Sequence, residues 1–327
     1  MMLDHKFDLG FLPTPLHQLK NLSEKFAPYN IFIKRDDQTG LASGGNKTRK
    51  LEYLIQEALD KGCDTIITAG AQQSNHCRQT AAACAVAKLK CHLLLGGIEP
   101  QNYNGNLLLS HLLGAQIHFT GENRKGENID GLKKQLELAG KKPFVIPYGG
   151  SNITGALGFV NAVKELKAQL SAQNLKIDYL FFASSSGGTQ AGLTLGNDLH
   201  NLNMKLIPIG IDKSETQGMS LEEMVLHIIN EGKLLLNIKK EYTLEDVKID
   251  NDYNEAGYGI ITKNEKDALK ELAKGEGILL DPVYTGRAAG GLLDLIRNGF
   301  LKKSSRVLFW HTGGQPALFA SAYTGTI

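Results

Sequence analysis

Gly44-Gly45-Asn46-Lys47-Thr48-Arg49-Lys50 runs straight into a helix. From Thr48 onward Leu51, Leu54, Ile55 and Ala58 recur at helical spacing. Lys47 therefore lies at or just before a helix N-terminus, where the positive end of the helix dipole disfavours an ammonium and lowers its pKa. The neighbouring charges of Arg49 and Lys50 act in the same direction. A lysine so biased is better suited to act as an amine nucleophile than as a surface charge.

Outward from that stretch, strands and helices alternate. Strands are expected at Ile31–Arg35, Thr65–Thr68, His92–Leu95, Gln116–Phe119, Phe144–Pro147, Tyr179–Phe182, Leu206–Ile211 and Arg306–Trp310. Helices are expected at Asn75–Leu89, Asn106–Leu113, Leu132–Leu138, Gly155–Leu170, Thr189–His200, Leu221–Glu231, Asn264–Lys274 and Ala288–Ile296. Residues 1–30 read as loop, stiffened by Pro13-Thr14-Pro15-Leu16. This alternation gives an α/β chain with open, largely parallel sheets flanked by helices. The division expected is a small domain of residues 51–155 and a large domain of 1–50 and 156–327. The site is expected in the crevice between them, at strand C-terminal ends.

The chain has 327 residues, 42% hydrophobic and 21% charged, with a net charge of +2. It carries no basic block, so nucleic acid is not an expected partner. No apolar run approaches the ~20 residues of a membrane span. Met1-Met2-Leu3-Asp4-His5-Lys6 has no apolar core, so a cytoplasmic setting is the expectation. Cys63, Cys77, Cys84 and Cys91 lack the spacing of a zinc site and read as reduced thiols.

Several loops carry chemistry. Ala183-Ser184-Ser185-Ser186-Gly187-Gly188-Thr189-Gln190-Ala191-Gly192 sits between a strand and a helix. Its small residues let backbone N–H groups converge on one anion, with hydroxyls and the helix dipole assisting. It lacks the GxGxxG order of a dinucleotide site. Gly40-x4-Gly45-Asn46-Lys47-Thr48 resembles a P-loop with one residue inserted before the lysine, which displaces the lysine from the cradle. Gln72-Gln73-Ser74-Asn75-His76 opens another helix and suits a carboxylate; Ser74 is also a plain N-cap. Tyr258, the run Asp281-Pro282-Val283-Tyr284-Thr285-Gly286-Arg287 and the end of the last strand, His311-Thr312-Gly313-Gly314, add hydroxyls where a ligand would lie. A lysine amine, a phosphate cradle, a carboxylate site and pocket hydroxyls are together what pyridoxal 5'-phosphate needs.

Ser43–Lys47, Ala71–His76, Gly187–Gly192, Leu280–Gly286 and His311–Gly314 resemble the D-cysteine desulfhydrase / 1-aminocyclopropane-1-carboxylate (ACC) deaminase family of tryptophan-synthase-β-like pyridoxal-phosphate enzymes. The resemblance runs in order from Pro13 to Leu318. It implies the fold-type-II architecture with the cofactor in the interdomain cleft, an amino-acid substrate and a homodimer. It implies that Lys47 is the Schiff-base lysine, that Ser186, Gly187, Gly188 and Thr189 hold the phosphate, and that Lys50 adds a second contact. Asn75 would meet the ring hydroxyl. Ser74, Asn75 and His76 would receive the substrate carboxylate, and Tyr258 and Tyr284 would line the substrate side.

Within the family, ACC deaminases carry glutamate after the tyrosine and leucine in the last glycine motif, where this chain has Thr285 and Thr312. One of these threonines would face the pyridine nitrogen, and a threonine holds a proton there less well than a carboxylate. The weaker electron sink suffices to expel thiolate and favours desulfhydration over opening a cyclopropane. The implied reaction is α,β-elimination: Lys47 takes the α-proton, a tyrosine assists the departing hydrosulfide, and pyruvate and ammonia follow. Alternatives on the same scaffold are ACC deaminase and L-cysteate sulfo-lyase. A non-catalytic pyridoxal-phosphate binder is the alternative of another class.

Overall fold

The computed structural model describes residues 2–212, 215 and 218–326. In chain order the elements begin with β1 (Leu16–Gln18), α1 (Lys20–Lys25), β2 (Asn30–Arg35), α2 (Lys47–Asp60), β3 (Thr65–Ala71), α3 (Asn75–Ala87) and β4 (Lys90–Gly96). They continue with α4 (Gly105–Leu112), β5 (Gln116–Phe119), α5 (Ile129–Leu138), β6 (Pro143–Val145), α6 (Ile153–Ala172), β7 (Tyr179–Ser184) and α7 (Gly188–Leu199). The last are β8 (Lys205–Gly210), α8 (Leu221–Leu235), α9 (Lys263–Glu276), α10 (Thr285–Arg297) and β9 (Arg306–His311).

The strands form two sheets. One has the order β1-β2-β9-β7-β8, the other β5-β4-β3-β6. Among the described strands only β1 runs antiparallel to its neighbour; the other pairings are parallel. Central strands are apolar on both faces because helices cover both. On the larger sheet Ile31, Ile33, Phe181, Val307 and Phe309 pack under α9 and α10, while Leu180, Phe182, Leu308 and Trp310 pack against α6 and α7. The smaller sheet buries Ile66, Leu93 and Leu95 against α2 and α3, and Ile67 and Leu94 against α5.

Every expected strand and helix is present, with ends shifted by a few residues. Helix α10 starts at Thr285 rather than Ala288, and β6 stops at Val145, ahead of Pro147. The expected N-terminal loop is corrected: β1 and α1 lie within it. Three and six residues are too few for a periodic signal. Both elements are fixed by distant contacts, β1 by pairing with β2 and α1 by Glu276, whose carboxylate accepts the Leu22 N–H at 2.7 Å.

A buried ion network ties the N-terminal segment to α6 and β9. Asp36 accepts from Arg49 twice at 2.9 Å, from the Thr14 hydroxyl at 2.9 Å and from Trp310 Nε1 at 2.8 Å. Arg49 also pairs with Glu165 of α6, which Lys34 contacts as well. All four cysteines are free thiols, three of them buried. Among the described residues no helix is long and apolar enough to cross a membrane.

Candidate active site

The cleft lies where both parallel sheets end at their C-terminal edges, which is where open α/β sheets bind ligands. Including its mouth it encloses about 610 Å³. Lys47, Ser74, Asn75, His76, Ser186, Gly187, Thr189, Tyr284 and Thr312 line it, together with Asn46, Tyr148 and Gly149.

Lys47 is the first residue of α2, and its Nζ donates to Gly149 O at 2.9 Å. Lys50, one turn on, donates to the same carbonyl at 3.1 Å and to Ser151 Oγ at 3.2 Å. Neither amine pairs with a carboxylate among the described residues. Burial brings Lys47 down to about 8. Lys50 is pushed well below an ordinary lysine by burial and by the Lys47 charge. Arg49, expected to contribute, instead turns away into the Asp36–Glu165 network.

At the start of α7, Gly187 takes φ +86°, a conformation glycine adopts without strain. The Gly188 N–H donates to Ser151 Oγ at 3.2 Å, and that hydroxyl donates to Ser186 Oγ at 2.8 Å. The first N–H groups of a helix have no intrahelical partner, so this end attracts an anion. The surrounding glycines keep the space clear. A Cβ on Gly149 would lie 2.2 Å from Ser186 Oγ, and one on Gly188 would lie 2.9 Å from Lys50 Nζ. Lys50 and Gly188 thus stand just behind the cavity wall.

At the start of α3, Ser74 is the N-cap, accepting from the Cys77 N–H at 3.2 Å while lining the cleft. His76 Nε2 lies 2.9 Å from Thr68 Oγ1, which itself donates to Ile146 O at 2.8 Å. Thr68 can then only accept, so the imidazole proton sits on Nε2. Burial, with the Lys47 and Lys50 charges, holds the ring neutral. The His76 side chain then has no remaining donor for a carboxylate. The backbone N–H groups of Asn75 and His76, in the first helical turn, are the available donors.

Tyr258 and Tyr284 hydroxyls lie 2.7 Å apart, with their rings edge to face. Tyr284 lines the cleft and Tyr258 stands behind it. Burial raises both phenols well above the usual range, so both are neutral donors. Tyr148, not anticipated, is a second phenol lining the cavity, pushed up to about 12 by burial. Its hydroxyl accepts from Arg124 Nη1 at 3.0 Å, and the Arg124 guanidinium lies 4.4 Å from the Tyr258 ring centre. The run Tyr148-Gly149-Gly150-Ser151 is glycine-rich in sequence, and folding brings it against Lys47, Lys50 and Ser186.

The two threonines separate. Thr312 lines the cavity. Thr285 is fully buried; its hydroxyl donates to Asp281 Oδ1 at 2.7 Å and accepts the Asp281 N–H at 2.7 Å. Asp281 holds Thr285 at the start of α10, also accepting the Thr285 N–H at 2.7 Å, and Thr285 lies off the cleft, which corrects its expected contact with the cofactor ring.

Two buried amines without a carboxylate, beside two helix N-termini and a glycine-lined space, fit a ligand with an aldehyde and a phosphate. Pyridoxal 5'-phosphate has both. A family model described as "Pyridoxal-phosphate dependent enzyme" matches residues 7–313. A protein named D-cysteine desulfhydrase from Klebsiella pneumoniae (strain 342) is 45% identical over 96% of this chain and 95% of its own length. One of the same name from a second Klebsiella pneumoniae strain is 44% identical over the same shares. A solved ACC deaminase homologue superposes with a TM-score of 0.88 at 36% identity, over 97% of this chain and 95% of its own. A solved O-ureido-L-serine synthase, 13% identical, has a TM-score of 0.67 over 100% of this chain and 95% of its own and shares the fold alone. With this cleft and these matches, the chain belongs to the pyridoxal-phosphate dependent enzymes, and pyridoxal phosphate is its cofactor.

Proposed function

We propose that the chain is a D-cysteine desulfhydrase, converting D-cysteine to pyruvate, hydrogen sulfide and ammonia. The observation that carries this reading is the cleft that joins the Lys47 amine to a pair of hydrogen-bonded phenols, in a chain 45% identical to a D-cysteine desulfhydrase. Bound pyridoxal phosphate supplies an electron sink conjugated to the substrate's α-carbon.

The chain's own groups divide the remaining work. The Ser186–Thr189 turn, with Lys50 behind it, holds the phosphate. The first turn of α3, Ser74 to His76, orients the substrate carboxylate through backbone N–H groups and the Ser74 hydroxyl. Lys47 Nζ, as the neutral amine, is the base that takes the α-proton. The Tyr284 hydroxyl, backed by Tyr258, gives a proton to the departing sulfur. The C–S bond breaks with its electron pair on sulfur, and water hydrolyses the released enamine to pyruvate and ammonia. Thr312 lines the cleft where ACC deaminases carry leucine, and this supports elimination over cyclopropane opening, the reading the ACC deaminase homologue would favour.

The test is release of sulfide and pyruvate from D-cysteine, L-cysteine, L-cysteate and ACC, assayed in parallel with the visible spectrum. Sulfide from D-cysteine by a yellow protein is expected, with no turnover by Lys47→Ala. Sulfite from L-cysteate, or 2-oxobutyrate from ACC, as the dominant product would replace this substrate assignment.

A further inference from the structure

Arg78 of α3 is fully buried yet has no carboxylate bonded to it among the described residues. Its Nη1 donates to Asn106 Oδ1 at 2.7 Å and to Asn75 Oδ1 at 3.3 Å; its Nη2 donates to Gly44 O at 2.6 Å; its Nε has no partner. A buried guanidinium held only by neutral oxygens is costly, because nothing offsets its lost hydration. Burial lowers it to about 10, against the pull of Asp281, so it is still a cation at neutral pH.

The surrounding amides fix what this charge faces. Asn106 Nδ2 donates to the Gln73 carbonyl at 2.9 Å, which orients Asn106 with its oxygen towards Arg78. That same Nδ2 donates to Asn75 Oδ1 at 2.8 Å. Asn75 Oδ1 thus accepts from both Asn106 and Arg78, and the Asn75 Nδ2 is left as the donor. Asn75 lines the cleft, and Gly314 at φ +107° leaves room beside that nitrogen, where a Cβ would come within 2.6 Å. Through Gly44 O, Arg78 also holds the turn that leads to Lys47.

We propose that Arg78 is a positioning residue: it locks Asn75 as a hydrogen-bond donor and backs it with buried positive charge, so that this wall of the cleft selects an anionic oxygen. Two sources carry that chemistry, the ring oxygen of the cofactor and the carboxylate of the substrate. The inference rests on the cleft being the pyridoxal-phosphate site.

The experiment uses the full chain, stripped of cofactor for one arm and loaded for the other, as wild type, Arg78→Lys, Arg78→Met and Asn106→Asp. The last variant keeps Arg78 but sets a carboxylate against it, and serves if Arg78→Met does not fold. The first arm compares the affinity for pyridoxal 5'-phosphate with that for its 3-O-methyl ether, which cannot become anionic at that oxygen. The second compares inhibition by D-alanine and by D-alaninol, which lacks the carboxylate. A fall of about tenfold in either ratio for Arg78→Met and Asn106→Asp, with Arg78→Lys close to wild type, is expected. The ratio that falls identifies the oxygen. Unchanged ratios in every variant, or an equal loss in Arg78→Lys, overturn the proposal. A wild-type chain that develops no visible band with pyridoxal phosphate would instead overturn the functional reading on which it rests.

Discussion

Burial removes water from the Lys47 amine and brings it down to about 8, and its hydrogen-bonded oxygen among the described residues is a neutral carbonyl. The sign is that of a depressed base: below about pH 8 the amine is protonated and unreactive, above it neutral and nucleophilic. Capture of pyridoxal phosphate by the cofactor-free chain should therefore accelerate with pH and level off above about 8 to 9; stopped-flow absorbance measures this, and a flat profile would show that burial does not tune the amine. At the phenol pair, Tyr284→Phe should lower kcat for D-cysteine by about a hundredfold. It should act far less on β-chloro-D-alanine, whose chloride leaves without a proton. Equal losses on both substrates would remove Tyr284 as the acid. Thr285→Glu should not retune the ring. It presses a second carboxylate against buried Asp281 and should cost about 2–4 kcal/mol, read as a lower urea midpoint.

The element scale is governed by turns that only glycine satisfies at close quarters. Gly149 combines φ +65° with a Cβ position 2.2 Å from Ser186 Oγ, so any side chain there enters the cradle. Gly149→Ala should weaken binding of pyridoxal phosphate by roughly tenfold or more. Gly62, with φ +64° and nothing within 4 Å, is the matched control. Gly62→Ala should cost only stability, about 1 kcal/mol, and leave cofactor affinity alone. Fluorescence titration separates the two, and equal affinities would deny the turn its role.

Across the whole molecule, the Lys34–Glu165–Arg49–Asp36 network joins β2, α2 and α6, elements that come from distant parts of the chain. Glu165 is largely buried, yet Arg49 and Lys34 outweigh that burial and hold its carboxyl below the ordinary glutamate value of 4.5. A depressed carboxyl contributes stability that is complete above its unfolded value and is lost as pH falls through the folded one. Stability should therefore drop as pH is lowered below about 4.5. Glu165→Gln should lower neutral-pH stability by about 3 kcal/mol and flatten that acid limb. Urea unfolding at pH 4 and pH 7 tests both, and parallel losses for the two proteins would exclude the linkage.

The chain by itself determined the order of the elements, because the strands of a covered parallel sheet are apolar runs and the helices between them carry a 3.6-residue stripe. It also determined the Lys47 turn, the Ser186–Thr189 cradle and the start of α3, since small residues ahead of a helix are a local feature. Tertiary structure alone decided the rest. Tyr148 joined the cleft, with Ser151 bonding Lys50 and Ser186 beside it, while Asp281 drew Thr285 off the cleft and Thr68 took the donor of the His76 ring. The Arg49 side chain turned to Asp36 and Glu165, and Arg78 was buried with no carboxylate bonded to it among the described residues, because charge pairing depends on distance in space. No spacing along the chain encodes that distance; it exists only once the two sheets have closed on one another.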